Sequence, residues 1–181
     1  MDSPSPIFDI YRSNRQNSAR FLLGKSGRRP LMVVGLNPNT ATPYKSDITI
    51  AKAARIAATA GYDGFVMVNL YPVRCPSPDQ LPKSVNVRLQ RRNLELICEL
   101  AAEFGRPDLW AAWGAEIGKR TYLAKACWQI AQRLHGLEAR WWHFGPPTRA
   151  GHPRHPSRVS YHWSLARFDI ESYLATLGPL A

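Results

Sequence analysis

Acidic side chains are scarce in this chain of 181 residues: 13 Asp and Glu stand against 24 Lys and Arg, a formal net charge of +11. A surplus of that size disfavours basic partners and points to a polyanion. Cysteine is scarcer still. Cys75, Cys98 and Cys127 form no C-x-x-C pair, which leaves no basis for a disulfide framework or a zinc knuckle. His143, His152, His155 and His162 have no recognised zinc spacing, so neither a metal nor another cofactor is expected. No apolar run reaches membrane length, and the opening MDSPSPIFDIYRSNRQ lacks the basic start and apolar stretch of a signal peptide. The expectation is a cytoplasmic monomer that does not engage membranes. Internal repeats, low-complexity tracts and domain linkers are also missing. What remains, 45% hydrophobic and 20% charged residues, is the composition of an ordinary globular domain long enough to bury its own core.

The positive charge is unevenly placed. Between Asp9 and Asp47 there is no acid, but Arg12, Arg15, Arg20, Lys25, Arg28, Arg29 and Lys45 fall there. Between Glu138 and Asp169 there is again none, while Arg140, Arg149, Arg154, Arg158 and Arg167 alternate with Trp141, Trp142, Phe144, Tyr161 and Trp163. Cations for phosphates interleaved with flat rings for bases is the composition of a nucleic-acid surface.

Residues 1–16 are polar and proline-bearing and are expected to be an arm, with residues 17–181 forming one domain,. Arg20 to Leu23 reads as a short edge strand, turned back by Gly24 to Gly27 into a buried strand, Leu31 to Val34. Ser46 or Asp47 can cap a helix whose apolar positions Ile48, Ala51, Ala54 and Ala58 run to Gly61. Phe65 to Asn69 is a second buried strand, followed by a long loop through Pro72, Pro76, Pro78 and Pro82. Asn86 to Phe104 is a helix with Val87, Leu94, Ile97, Cys98 and Ala101 inward. Asp108 to Trp113 is a third strand, Ala115 to His135 a helix, and Ala139 to Phe144 a fourth strand. A last helix spans Asp169 to Leu177. Strands alternating with helices predict an α/β fold: a three-layer α/β/α sandwich around a short parallel sheet of about four strands.

Such sheets present ligands with the residues at the carboxyl ends of their strands. Four polar signatures fall there: GLNPN at 35–39, Asn69 in VMVNLYPVR, AAWGAEIG at 111–118 and HPS at 155–157. In this order they resemble the uracil-DNA glycosylase superfamily. GLNPN is similar to the first glycosylase motif, VMVNLYPVR to the strand that ends in a base-reading Asn, AAWGAEIG to a structural Trp-Gly-x-x-Ala turn, and HPS to the second motif. A closer resemblance is to a bacterial and phage family of unknown function. NPNTAT, DIT at 47–49, NL at 69–70, WG at 113–114 and GHPRHP at 151–156 fill its pattern, from about Arg20 to Ser157.

The superfamily resemblance implies hydrolysis of the N-glycosidic bond of a damaged or modified base in DNA, in preference to RNA. Asn37 would hold a water, His155 would donate to the developing base oxygen, and Asp47 either caps its helix or activates the water. Gly35, Leu36, Pro38, Asn39, Tyr44, Asn69 and Ser157 would line the base pocket, Asn69 reading the Watson-Crick edge. Arg149, Arg154 and Arg158 would hold the phosphate backbone. Two departures bear on the substrate. Asn39 stands where the mismatch-specific branch has Gly, and Arg158 and Val159 replace the small apolar residues that wedge into duplex DNA. Two rival readings keep the same pocket: a catalytically silent nucleic-acid-binding module, and an enzyme acting on free nucleotides or nucleosides.

Overall fold

The structure is a computed structural model and describes residues 5–178. Its centre is a seven-stranded sheet in the order β1-β2-β4-β3-β5-β6-β7, with β1 at Ile10–Ser13, β2 at Arg20–Lys25, β3 at Pro30–Gly35, β4 at Gly64–Asn69, β5 at Asp108–Ala111, β6 at Arg140–Phe144 and β7 at Leu165–Arg167. Strands β4, β3, β5 and β6 pair in parallel, and these are the four strands expected to form the parallel sheet. The sheet is nevertheless mixed and wider than expected, because β1, β2 and β7 add antiparallel pairings at its two sides.

The alternation of the parallel strands divides the core. Met32, Val34, Val66, Val68, Leu109 and Ala111 face one cluster, and Leu31, Val33, Phe65, Met67 and Trp110 face the other. Helix α1 (Ile48–Thr59) covers the second face; α2 (Val87–Glu103), α3 (Thr121–Leu134) and α4 (Ile170–Thr176) cover the first. The chain is therefore a three-layer α/β/α arrangement. The layering follows from handedness, since the β3-to-β4 crossover runs opposite to β4-to-β5 and right-handed connections then place α1 and α2 on opposite faces.

Several expectations are corrected. The proposed arm carries β1, whose Tyr11 and Arg12 register against Leu23 and Leu22; its first four residues lie outside the described residues, as do residues 179–181 of the expected domain. Strand β2 is not an edge, since it pairs on one side with β1 and on the other with β4. The buried face of α1 is Ile50, Ala53, Ile56 and Ala57, while Ile48 is 75% exposed. Alanine-rich helices satisfy two registers of apolar spacing, and the larger isoleucines decided between them. Val87 of α2 is likewise exposed, lying in the first turn above Asn86, whose side chain caps the helix,. The helix read from Ala115 to His135 breaks into a 3₁₀ turn, Ala115–Lys119, and α3.

Gly35 has no positive φ and ends β3 in register with Asn69 of β4. A Cβ built there would lie 2.7 Å from Met67 Cε and 2.8 Å from Asn69 Oδ1. Glycine leaves open the space that the ends of the Met67 and Asn69 side chains of β4 occupy.

Candidate functional site

The parallel strand order places β3 between β4 and β5, so the chain leaves β3 in one direction and later passes back across it. Open α/β sheets hold ligands outside such a reversal, and a cleft of about 730 Å³ lies there. Its walls are Leu36, Asn37 and Asn39 after β3, Cys75 to Asp79 after β4, Trp113 to Glu116 with Lys119 after β5, and Thr148, Arg154, His155, Ser157 and Arg158 after β6. Asp47, Thr49 and Ile50 close it from the start of α1, and Arg20 and Met67 also line it. That volume suits a ligand of nucleotide size.

Backbone pairing fixes the Asn37 loop. Leu70 N–H donates to Gly35 O at 2.9 Å, Tyr71 N–H to Leu36 O at 3.0 Å, and Cys75 N–H to Pro38 O at 2.9 Å. Asn37 Nδ2 donates to Cys75 O at 2.9 Å and Pro38 O at 3.1 Å. Two carbonyl acceptors settle which end of the amide is nitrogen, leaving Oδ1 as an acceptor with no partner among the described residues. Arg74 braces the same loop from below, donating to Asn39 O and to Ala41 O. Asp47 caps α1 through Oδ1, which accepts from Ile50 N–H at 2.9 Å, while Oδ2 accepts from Ala41 N–H at 3.3 Å. The capping expectation holds, and the same carboxylate lines the cleft.

His155 reaches the cleft through Gly114. That glycine has φ +76° and ψ −175°, a region open essentially to glycine alone, and a Cβ there would lie 3.1 Å from His155 Cβ. The Trp-Gly and His-Pro signatures are thus two halves of one contact. His155 Nδ1 accepts from Ser157 N–H at 3.3 Å and lies 2.8 Å from Ser157 Oγ. In the neutral ring the proton then sits on Nε2, a donor. Burial above all, with Arg158 adding to it against the opposing pull of Asp47, pushes the His155 pKa down from 6.5 to about 4.

That shift has a signed consequence for stability. The unfolded chain binds the extra proton between about 4 and 6.5, so folding stability rises with pH through this window and is lost as pH falls through it. The unfolding free energy from urea titrations should drop between pH 6.5 and 4 by up to about 3 kcal/mol,. H155N should flatten that slope.

Beneath the loop, Trp113 Nε1 donates to Tyr173 Oη at 3.0 Å, and Tyr173 Oη lies 3.0 Å from His152 Nδ1. This chain ties the end of β5 to the loop carrying His155. Y173F leaves the Trp113 donor buried and unpaired, and urea denaturation should read a loss of about 1–3 kcal/mol.

The remaining expected site residues divide clearly. Leu36, Asn39, Ser157, Arg154 and Arg158 line the cleft; Gly35, Pro38, Tyr44, Asn69 and Arg149 do not. Tyr44 is 55% exposed. Asn69 is fully buried beside Gly35 with both side-chain amide atoms unpartnered, and its backbone carbonyl accepts from Asn93 Nδ2 at 2.8 Å. The alternating rings and cations of the second acid-free tract are partly spent on each other. Trp141 and Phe144 are core, while Arg154 stacks 5.2 Å from Trp163, Arg167 5.0 Å from Trp142 and Arg55 4.3 Å from Tyr161.

Arg20 is among the cleft residues that sequence reasoning did not place in the site. It was one cation of an acid-free tract on an expected edge strand, yet it is 2% exposed and lines the cleft. The run RFLL is buried throughout, and nothing in its letters marked where the guanidinium would go. Among the described residues, no group of three or more His, Cys, Asp or Glu is gathered to hold a metal ion. No helix among them is long and apolar enough to cross a membrane.

No curated protein and no solved structure matches the chain, and nothing in these comparisons links it to the uracil-DNA glycosylase superfamily. One family model does match, over residues 20–157, and its span runs from Arg20 to Ser157, the first and nearly the last residues of the cleft. The chain belongs to the family described as protein of unknown function (DUF1643).

Proposed function

We propose that this cleft hydrolyses the N-glycosidic bond of a base carried by nucleic acid, in the manner implied by the resemblance to uracil-DNA glycosylases. The observation that carries the reading is the joint presence, on one cleft, of a free Asn37 Oδ1, the Asp47 carboxylate and a His155 ring whose Nδ1 is already engaged. Asn37 Oδ1 accepts a hydrogen bond from a water and aims its oxygen at the sugar carbon. As the carbon–nitrogen bond breaks, its electron pair leaves with the base, and His155 Nε2–H donates to the base oxygen where that charge gathers. The water oxygen bonds to the sugar carbon and releases its proton to Asp47. Lowered basicity suits His155 to this role, because a neutral ring donates one hydrogen bond without fixing a full charge in the pocket.

Base reading passes from Asn69 to the polar groups on the rim, Asn39 and Ser157. Arg154 and Arg158 supply the cations for a phosphate backbone. Lys119 is less free for this, since Asp79 holds it at 2.6 Å. The test is incubation with labelled oligonucleotides carrying uracil, thymine mismatches, hypoxanthine and modified cytosines, followed by alkali. Strand breaks at one of these bases are the expected result; intact strands on all of them, with DNA binding retained, refute hydrolysis. Retained binding should weaken steeply with salt, by about 0.7 log units in affinity per decade of salt for each single-strand phosphate neutralised.

A further inference from the structure

Arg20 carries a full positive charge into a place where the chain offers it almost nothing. Its side chain is 2% exposed. Of its five N–H donors, one reaches a protein acceptor, Ala41 O, at a long 3.4 Å, and Nε is buried without a partner. Among the described residues it enters no ion pair. Asp47, the carboxylate whose field reaches it, has both oxygens turned to backbone N–H groups. The neighbouring Arg74 adds a second cation, and its Nη2 donates to the same Ala41 carbonyl at 3.0 Å. Burial, reinforced by Arg74, lowers the Arg20 pKa to about 10, which still leaves the guanidinium protonated at neutral pH.

A buried cation without a counter-ion is strongly disfavoured unless something else compensates it. Arg20 lines the cleft, so a ligand can. We infer that Arg20 is an anion-binding residue at the floor of the cleft, holding a phosphate group of the ligand through its unpartnered N–H groups. Guanidinium is the side chain best matched to a phosphate, since its planar fork donates two parallel hydrogen bonds to two oxygens. Arg154 and Arg158, on the opposite wall, extend the same positive field toward the rim. The phosphate can belong to a free nucleotide, as the rival nucleotide reading has it, or to the backbone of a strand that dips into the cleft. The inference concerns binding and does not depend on hydrolysis.

Thermal unfolding of the full chain in phosphate, against chloride at equal ionic strength, tests it. Saturating phosphate should raise the wild-type Tm by about 5 °C, R20M should abolish that increment, and R20K should keep part of it. In phosphate-free buffer R20M should melt no lower than the wild type, because it removes an uncompensated charge and keeps the apolar stem. No phosphate increment in the wild type, or an undiminished one in R20M, overturns the assignment. So does an R20M chain that fails to fold, which would mean that the protein itself compensates the cation. Calorimetric titration then separates the sources. A nucleoside 5′-monophosphate binding at least tenfold tighter than its nucleoside, with the difference lost in R20M, assigns a terminal phosphate. The same Arg20-dependent difference between an oligonucleotide and its methylphosphonate analogue, without one for the monophosphate, assigns a backbone phosphate. Neither difference overturns the inference. Because these readouts are of binding, they stand whether or not any base is released.

Discussion

N37A should lose turnover by about 10²–10³-fold while its affinity for the substrate nucleic acid stays within a few-fold of the wild type. The asymmetry comes from how the side chain is used. Its Nδ2 holds the loop to Cys75 O and Pro38 O, but the loop is also tied by three backbone bonds, from Leu70, Tyr71 and Cys75. Losing the amide therefore leaves the loop in place. What disappears is the unengaged Oδ1, the group that would position the water. Single-turnover kinetics on the base found active in the oligonucleotide panel, with binding measured in parallel, check this. A variant that binds less selectively, in a protein that releases no base, would instead mark the cleft as a base reader. N37D is a useful companion, since it keeps the shape but loses both donors to the carbonyls.

G114A is expected to separate the two halves of the site while the sheet survives. The φ of +76° with extended ψ costs a side chain about 1–3 kcal/mol,. The added Cβ would also stand 3.1 Å from His155 Cβ, and both are near backbone with little freedom to retreat. The loop bearing His155 must then give by a few tenths of an ångström, enough to misalign its Nε2–H in the cleft. Turnover should fall by about 10²–10⁴-fold, the usual worth of a positioned acid. Circular dichroism should report an unchanged fold, and the His155 pKa, held low by burial, should return toward its ordinary range as the ring gains solvent,. A G114A protein with full activity and an unmoved His155 titration would show that the contact is incidental.

The central strands were readable because they are buried on both faces and so appear as unbroken apolar runs such as LMVV and FVMV,. The outer strands were not, for the same reason inverted. β1 is IYRS and β7 is LAR, short, partly exposed and no more apolar than a loop; only their partners make them strands. The site was legible where polar residues interrupt an apolar run at its carboxyl end, which found Asn37, and in the HPS signature of the last loop, which found His155. Asn69 obeys the same pattern but fails as a ligand contact. In register with Gly35, it turns its amide into the space that the missing glycine side chain leaves, under the loop and away from the cleft. Arg20 failed in the opposite direction, because a cation within an apolar strand gives no sign of whether its head is in solvent or in a pocket.

The tie between α1 and the last loop of the cleft also bears on how the cleft is assembled. Lys52 Nζ donates to Ser157 O at 3.3 Å and Val159 O at 3.1 Å, a contact closed across 105 residues or more. α1 alone among the helices covers its face of the sheet, and the 3₁₀ turn at Pro156–Arg158 packs against it. Closure over such a separation is entropically late, because nearly the whole parallel sheet must be formed before the two ends can meet. A chain still emerging from synthesis can build the Asn37 loop and α1, yet it has no cleft until β6 is added and the loop beyond it returns. Completion of the cleft thus waits on the chain beyond β6, and a truncation before Ser157 would leave the sheet without that wall.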